Sequence, residues 1–399
     1  MEPLSATIIN SLFSATYESM FNVDFISEAS LSRGMNAYQN QDYEVSIADY
    51  KRVIGLDPNS DYAAKAYDLL GKEYLELNRT VDAIALYKEY IRLFPTNDDP
   101  HIQLGDIYFG QNQYEEAQKE YKLAVNLNPQ STKNWYSLGQ AYMATGNYDD
   151  AENAFRKTIQ LSPEDYSGYY GLGQVYYKQG QYKEAINLFQ KVSEMKRDFD
   201  YIHVDLGYAY ADMGDFDNAR QQLKILNNTD SGSSLANLLS SYIVKVSDPK
   251  FLAAYSANGF NVTLGSGTPL SLLDSSLSTA GASKDFTMNF IFNKDMDASS
   301  VRNPYNWRIT RAAAGTPGGS YNWGMSVPST ETQIALFPKY VLYDPDSFTA
   351  TVTFQISQNA LANGTIDPSH IMFKFSGIDA YGNSMDPASD EYGGLSLIV

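Results

Sequence analysis

The chain has 399 residues, carries a formal net charge of −18 at neutral pH and contains no cysteine. This charge argues against nucleic acid as a partner, because phosphate binding needs a basic face and the sequence has no cluster of Lys or Arg. The absence of cysteine excludes disulfides, thiolate nucleophiles and thiolate-bound zinc. No apolar run approaches the roughly 20 residues that a membrane-spanning helix needs, so we expect no membrane insertion.

The first segment, residues 1–27, is predicted to be an amphipathic helix. Its apolar residues recur at helical spacing and form one broad stripe, with few charges opposite. The stripe consists of Ile8, Ile9, Leu12, Phe13, Tyr17, Met20 and Phe21. Two roles fit this pattern: a cap on the region that follows, or an assembly helix that docks on a neighbouring subunit. We expect no secretory signal peptide, because no basic residues precede the apolar stretch.

A motif that returns every 34 residues dominates residues 28–232. Its fixed points are Gly34, Gly71, Gly105, Gly139, Gly173 and Gly207. Apolar residues at helical spacing lie on both sides of a Gly or Asn turn, so each unit is predicted to hold two helices. The six predicted units cover residues 28–59, 64–97, 98–131, 132–165, 166–199 and 200–232.

The clearest unit resembles the tetratricopeptide repeat (TPR) family. Its residues follow that family's W-x2-L-G-x2-Y, A-x3-F and P pattern. They are Trp135, Leu138, Gly139, Tyr142, Ala151, Phe155 and Pro163. The resemblance implies a stacked α-solenoid in which the first helix of each unit lines a concave groove.

The groove implied by this resemblance, called the predicted groove below, is rich in tyrosine and nearly free of cations. Its residues are Phe109, Tyr136, Gln140, Met143, Tyr170, Gln174, Tyr177, Tyr201, Asp205 and Tyr208. Such a surface suits an extended peptide or a segment of a neighbouring copy, held by aromatic stacking and by Tyr and Gln hydrogen bonds. The alternative is that the tyrosines only cover seams between helices.

The composition changes after the repeats. Residues 233–258 are predicted to be C-terminal capping helices, the first over 234–246 and the second over 249–257. Residues 259–284 are rich in Ser, Gly and Thr and are predicted to be a flexible linker with a possible first strand. Apolar and polar residues alternate repeatedly in residues 285–399, which predicts antiparallel β-strands.

The C-terminal segment resembles the bacterial Ig-like domains of S-layer and other surface proteins. The resemblance is carried by Phe290 to Asp297, Trp307, Tyr343 to Pro345, and Gly377 to Asn383. It implies an Ig-like antiparallel β-sandwich over residues 285–399. The predicted fold class is therefore a multidomain α and β protein, a TPR α-solenoid followed by this sandwich.

Few residues suggest chemistry, and we predict no enzymatic activity. His101 and His203 occupy the repeat position that Trp135 fills elsewhere, so they are predicted to be packing residues. His370 has no partner near it in the sequence, which leaves a Ser-His-Asp site without support.

One metal site is conceivable, since calcium prefers hard oxygen ligands on loops. The candidates are Asp295, Asp297, Asp379 and Asn383. The alternative is that they are solvated turn residues, because Asp and Asn are common turn formers.

The sequence as a whole predicts a non-catalytic interaction protein. The specific hypothesis is a bacterial surface or extracellular structural subunit that self-assembles and whose groove receives a peptide or a neighbouring subunit. One alternative is a monomeric adaptor, located in the cytoplasm, that recruits one protein partner. Another is glycan or cell-surface binding through the Ig-like segment, with Trp307, Tyr321 and Trp323 stacking on sugar rings. Apart from calcium, no cofactor is expected.

Overall fold

The computed structural model describes residues 6–229, 232–313 and 319–393, and for residues 6–21 and 232 it describes the backbone alone. Contacts between Cα atoms divide the chain into two compact units, residues 1–209 and 210–399. The first unit is helical. The second contains the last helices of the array and all of the described strands.

Thirteen long helices occupy the described residues up to position 246. They are α1 Ala6–Gln39, α2 Tyr43–Leu56, α3 Asp61–Glu76, α4 Thr80–Leu93, α5 Asp99–Gly110, α6 Tyr114–Leu127, α7 Thr132–Ala144, α8 Tyr148–Leu161, α9 Tyr166–Lys178, α10 Tyr182–Met195, α11 Tyr201–Asp212, α12 Phe216–Leu226 and α13 Gly232–Val246. Each helix from α1 to α9 contacts the next one along the chain, within a unit and between units. The repeated helical pairs predicted from the 34-residue period are confirmed.

Turn residues explain where these helices stop. Asn112, Gly146 and Gly180 adopt positive φ angles of 60°, 75° and 74° between the two helices of successive units. These are left-handed conformations that Gly and Asn adopt at low cost. Prolines follow the second helices of the first four units by two residues, as Pro129 follows α6 and Pro163 follows α8.

The motif glycines allow the two helices of a unit to approach closely. A Cβ atom on Gly139 would lie 2.8 Å from the ring of Phe155, and one on Gly173 would lie 2.6 Å from Phe189. The equivalent partners in earlier units are Tyr50, Tyr87 and Tyr121. The motif therefore encodes a glycine on the first helix that receives an aromatic ring from the second.

The first helix is longer than the repeat pattern requires. Helix α1 runs without a break from Ala6 to Gln39, through the predicted boundary between residues 27 and 28. Its partner α2 has 14 residues against 34 in α1, so much of α1 extends beyond the length of α2. The predicted apolar stripe lies on the helical backbone of α1, but its side chains lie outside the described residues.

The predicted second capping helix, over residues 249–257, is wrong. Helix α13 is present, but Phe251–Ser256 form strand β1, which pairs antiparallel with β3 (Ser283–Phe292). Ala253 and Ala254 suggested a helix by their intrinsic preference. Pairing of Ala254 with Phe290, and its complete burial, overrides that preference in the folded chain.

Two larger sheets share one core in the second unit. The remaining strands are β2 Thr268–Pro269, β4 Trp307–Arg311, β5 Tyr340–Asp344, β6 Thr349–Ser357, β7 Thr365–Ile366, β8 Ile371–Phe375 and β9 Glu391–Gly393. The strand orders are β1-β3-β6-β5 and β4-β8-β9, with β2 and β7 as a separate pair, and every pairing is antiparallel. Rings from both larger sheets meet, as where Phe290 lies 5.2 Å from Phe373.

Residues 259–284 are not a free linker, contrary to prediction. They contain β2 and a short helix, α14 (Leu270–Leu273). Phe260, Leu270 and Leu277 are fully buried in the core of the sheets. Their apolar side chains are widely spaced among Ser, Gly and Thr, which is why composition suggested a linker.

Candidate functional site

The predicted groove lies on the first helices of successive units, and α7 contacts both α5 and α9. Tyr136, Gln140 and Met143 follow an i, i+4, i+7 spacing on α7, so they share one helix face. The same spacing returns 34 residues later in Tyr170, Gln174 and Tyr177 on α9. All six side chains are partly buried, and Phe109 on α5 has similar exposure.

A tyrosine–glutamine pair repeats along this face. Gln140 donates a hydrogen bond from Nε2 to the hydroxyl of Tyr136 at 3.1 Å. One unit later, Tyr170 and Gln174 keep the same spacing, and Gln174 lies close enough to the Tyr170 hydroxyl to lower its pKa. Burial raises the pKa of both Tyr136 and Tyr170, so both hydroxyls stay protonated at neutral pH and can donate. Each pair thus presents a phenol and an amide at one level of the array.

The Tyr170 hydroxyl also connects two units. It donates to Oδ2 of Asp205 on α11 at 2.8 Å. Burial raises the pKa of Asp205 to about 6, opposed by the hydrogen bond from Tyr170 and by Lys178. The carboxyl therefore binds a proton more readily than an ordinary aspartate does.

The three predicted groove residues of α11 continue the pattern incompletely. Tyr208 stands 34 residues after Gln174, but the position equivalent to Tyr170 is Val204, which is buried. Tyr201 is 62% exposed, whereas Asp205 and Tyr208 are partly buried. The structure thus brings Asp205 to Tyr170 and leaves Tyr201 open to solvent.

Sequence reasoning missed the aromatic residue at the centre of this seam. Phe199, in the turn before α11, lies 5.2 Å from the ring of Tyr170, 5.7 Å from Tyr166 and 6.5 Å from Tyr201. The signal was present, because Phe199 stands where a turn residue is expected. A large aromatic side chain in a turn usually packs against a neighbouring element.

The histidines have structural partners. His101 is buried, and its Nδ1 lies 2.7 Å from Glu120 on α6. His370 is also buried, and its Nδ1 lies 2.8 Å from Asp367, only three residues earlier, which corrects the expectation that it had no partner. Ser369 contacts the same nitrogen at 3.0 Å. In a catalytic relay the serine and the carboxylate would contact opposite ring nitrogens, so this cluster is not arranged as one.

The residues suggested for calcium have other partners. Asp295 accepts a hydrogen bond from Tyr343 at 2.9 Å, and Asp297 accepts one from the backbone of Ser300 at the start of α15 (Ala298–Arg302). Asp379 accepts from Asn383 and forms a fully buried ion pair with Lys294 at 2.5 Å. No group of three acidic or histidine residues in the described ranges could hold a metal. Calcium binding stays a prediction, which thermal unfolding with calcium and with a chelator would test.

Lys294 also joins α13 to the sheets. Its ammonium donates to the carbonyl of Ser247 at 2.6 Å, just after the end of α13. Asn383 donates to the carbonyl of Lys245 at 2.6 Å. Burial alone would raise the pKa of Asp379, but the hydrogen bonds from Lys294 and Asn383 lower it. The buried ammonium of Lys294 therefore donates to carbonyls at the end of α13 and interacts favourably with the dipole of that helix. These bonds make α13 part of the second unit.

The aromatic residues proposed for glycan stacking are mostly internal. Trp307 is fully buried and Tyr321 is 6% exposed, whereas Trp323 is 67% exposed. Sugar stacking needs an open ring face, which Trp323 has and Trp307 lacks. Within the described ranges, no helix combines the length and apolar character that crossing a bilayer requires.

Family models identify the helical array. Two models, both described as tetratricopeptide repeat, match residues 29–98 with 136–198, and residues 74–142 with 176–242. Together they span residues 29–242 without a gap. The chain therefore contains tetratricopeptide repeats, as the motif residues predicted.

The chain is also similar, over part of its length, to several solved structures. The crystal structure of MamA protein is 27% identical, with 43% of this chain and 92% of that chain covered and a TM-score of 0.38. A tetratricopeptide repeat protein from Parabacteroides merdae is 16% identical, with 55% and 85% covered and a TM-score of 0.48. Pseudomonas aeruginosa pilF is 18% identical, with 55% and 99% covered and a TM-score of 0.46. No curated protein matches the chain.

Proposed function

We propose that this chain is a non-catalytic interaction protein that binds an extended peptide along the predicted groove. The observation that carries the proposal is the tyrosine–glutamine pair that repeats from α7 to α9, with partly exposed phenol and amide groups. Peptide backbones need both donors and acceptors, and phenol and amide groups supply both. Tetratricopeptide repeats in general mediate contacts between proteins, which agrees with this assignment.

The spacing of the pairs suits an extended ligand. Packed helices lie roughly 8–10 Å apart, and an extended chain advances about 3.3 Å per residue. Each unit would therefore contact every third residue of a peptide. Asp205 is the one acidic group among the ten groove residues, and the set contains no Lys or Arg. We infer that the peptide is neutral or basic rather than acidic.

Selection of peptides from a random display library on the full-length chain tests this function. The groove variant Gln140→Ala/Gln174→Ala serves for counter-selection, and Asn153→Ala/Asn187→Ala is the control, because it removes two exposed amides from α8 and α10. The proposal expects peptides that the wild type and the control retain and the groove variant releases. Peptides retained equally by all three proteins, or no enriched peptide, would refute it.

The second candidate function is self-assembly, with a segment of a neighbouring copy as the bound chain. Helix α1 favours it, because α1 extends beyond α2 and its Phe25 is 67% exposed. Sedimentation of the full chain beside a variant lacking residues 1–25 distinguishes the two functions. Assembly predicts large species from the full chain alone, whereas a monomeric adaptor sediments as one small species in both cases.

A bacterial surface or extracellular location belongs to the same proposal. It rests on the resemblance of the C-terminal residues to Ig-like domains, whose β-sandwich suits the antiparallel sheets and shared core of the second unit. Detection of the protein on intact cells with an antibody against the sheets tests this location. A signal that appears only after lysis would favour the cytoplasmic adaptor.

A further inference from the structure

A cleft of about 520 Å³ opens beside strand β4, outside the predicted groove. Six of the ten residues that line it are aliphatic, and the other four are Thr310, Arg311, Glu331 and Gln333. The aliphatic residues are Ile309, Val327, Pro328, Ile334, Leu336 and Ile371. The backbone of Ile309 donates to the carbonyl of Leu336 at 2.8 Å, which fixes the outer wall to the sheet. The cleft is therefore a formed feature of the sheet edge, with room for one or two side chains.

Glu331 lines this cleft with an incompletely satisfied carboxylate. Its side chain is 3% exposed, and its Oε1 accepts no hydrogen bond from the described residues. The nearest cation is Nη2 of Arg311, at 4.0 Å from Oε1. Burial raises the pKa of Glu331 to about 7, with Arg311 opposing the shift and Asp367 adding to it. Buried polar atoms without a partner are rare in folded proteins, and a perturbed one in a cleft is a candidate for ligand binding.

The backbone holds Glu331 in this position. Thr332 donates to the carbonyl of Thr365 at 2.9 Å, and Thr365 donates to the carbonyl of Thr330 at the same distance. The residues on both sides of Glu331 are thus tied to β7. The backbone on both sides of Glu331 is therefore fixed, and this places its side chain in the lining of the cleft.

The charge balance indicates the kind of ligand. Asp367 has close partners of its own, since it lies 2.8 Å from Nδ1 of His370 and accepts a hydrogen bond from the backbone of Asn322. The nearest cation to Glu331 is Arg311, at 4.0 Å. Arg311 has other partners, since it donates to the carbonyl of Thr332 at 3.4 Å and lies 5.1 Å from the ring of Tyr321. An ammonium at hydrogen-bond distance would therefore be a closer partner for Glu331 than Arg311 is, and the aliphatic residues of the cleft suit an apolar stem.

We propose that this cleft binds an aliphatic primary ammonium, such as a lysine side chain, with its stem on the aliphatic residues and its ammonium donating to the carboxylate of Glu331. A metal ion would need more oxygen ligands than the cleft offers, because no group of three acidic or histidine residues gathers within the described ranges. A sugar would favour an aromatic platform, and the residues that line the cleft include no aromatic side chain. The site is independent of the predicted groove.

The test uses the full chain with isotope-labelled isoleucine methyl groups, since Ile309, Ile334 and Ile371 line the cleft. The probes are Nα-acetyl-lysine amide and Nα-acetyl-norleucine amide, which differs by lacking the ammonium. We expect the lysine probe to shift the methyl signals of these three residues and to bind at least about tenfold more tightly than the norleucine probe, because a charge-assisted bond exceeds 1.4 kcal/mol. Equal affinity of the two probes, or no shift at these residues, would overturn the proposal.

Two variants and a control complete the test. Glu331→Gln keeps the shape and removes the charge, and Glu391→Gln removes an exposed carboxylate on β9. Val327→Trp obstructs the cleft from a side chain that is 45% exposed, so it preserves the core. Glu331→Gln and Val327→Trp are expected to lose at least about tenfold in affinity for the lysine probe, and Glu391→Gln to lose none. Unchanged affinity in both cleft variants would contradict the assignment.

Discussion

The hydroxyl of Tyr170 on α9 donates a 2.8 Å hydrogen bond to the carboxylate of Asp205 on α11. This bond joins two successive repeats through the predicted groove, where the ring of Phe199 packs on Tyr170. A side chain that could have been free for a ligand is thereby fixed in one orientation. The groove is therefore partly preorganised, because Tyr170 is held in place.

The charge of Asp205 makes the stability of the helical unit depend on pH. Its pKa is raised to about 6 in the folded chain, above its ordinary value of 3.8. The folded state therefore binds the proton more tightly, and this contribution to stability falls as pH rises from about 4 to about 6. We expect Asp205→Asn to raise the free energy of unfolding by about 1–2 kcal/mol at pH 8 and by little at pH 4, after allowance for solvent screening.

Thermal unfolding of the wild type and Asp205→Asn at both pH values checks this prediction. Tyr170→Phe is the companion variant, because it leaves the carboxylate without its donor and is expected to destabilise the unit by about 1–3 kcal/mol. A melting temperature for Asp205→Asn that stays below that of the wild type at pH 8 would contradict the account.

The motif glycines are expected to resist even a single methyl group. Gly139→Ala would place a Cβ atom 2.8 Å from the buried ring of Phe155, so the two helices must separate. The expected loss is about 1–3 kcal/mol of unfolding free energy. Gly55→Ala is the matched control, since a Cβ there meets no atom within 4 Å and Ala favours a helix by up to about 1 kcal/mol. Urea unfolding followed by circular dichroism measures both, and equal effects would show that close helix contact is not the reason for Gly139.

The buried ion pair of Lys294 and Asp379 is expected to stabilise the second unit. Lys294→Met leaves Asp379 buried without a cation and removes a donor from the carbonyl that follows α13. The expected cost is about 3–5 kcal/mol. Lys339→Met breaks an exposed ion pair with Asp285, and we expect no measurable change in the free energy of unfolding. Hydrogen exchange of α13 provides the local measurement, and faster exchange in both variants, or in neither, would contradict the assigned role of Lys294.

Periodicity predicted the helical array well because each unit repeats the same local contacts. The spacing of Gly139 and Phe155 predicts both a helix pair and the contact between its helices. Such short-range patterns can be recognised in a single sequence. The structure of the second unit was harder to predict, because it depends on contacts between residues that are distant in the sequence. Strand β1 exists because Ala254 pairs with Phe290, and α13 joins the sheets because Lys294 reaches Ser247, neither of which leaves a local pattern.

The same distinction applies to the candidate sites. The repeat register placed Tyr136, Gln140, Tyr170 and Gln174 on one face of neighbouring helices, because a helix has a fixed period. The unsatisfied carboxylate of Glu331 could not be predicted, since its neighbours, Arg311 on β4 and Thr365 on β7, are distant in the sequence. Sequence reasoning also found no partner for His370, although Asp367 stands three residues away, because a buried pair at a strand end resembles an ordinary turn.

The central claim is that the repeated tyrosine–glutamine face binds a peptide. Its most direct test is the affinity of one selected, fluorescently labelled peptide for the wild type, Gln140→Ala/Gln174→Ala and Asn153→Ala/Asn187→Ala, measured by anisotropy with the full chain. We expect the groove variant to bind at least about tenfold more weakly, since two amide hydrogen bonds are worth about 1–3 kcal/mol, and the control to bind as the wild type does. Equal affinities of the groove variant and the control would place the peptide elsewhere and contradict the account.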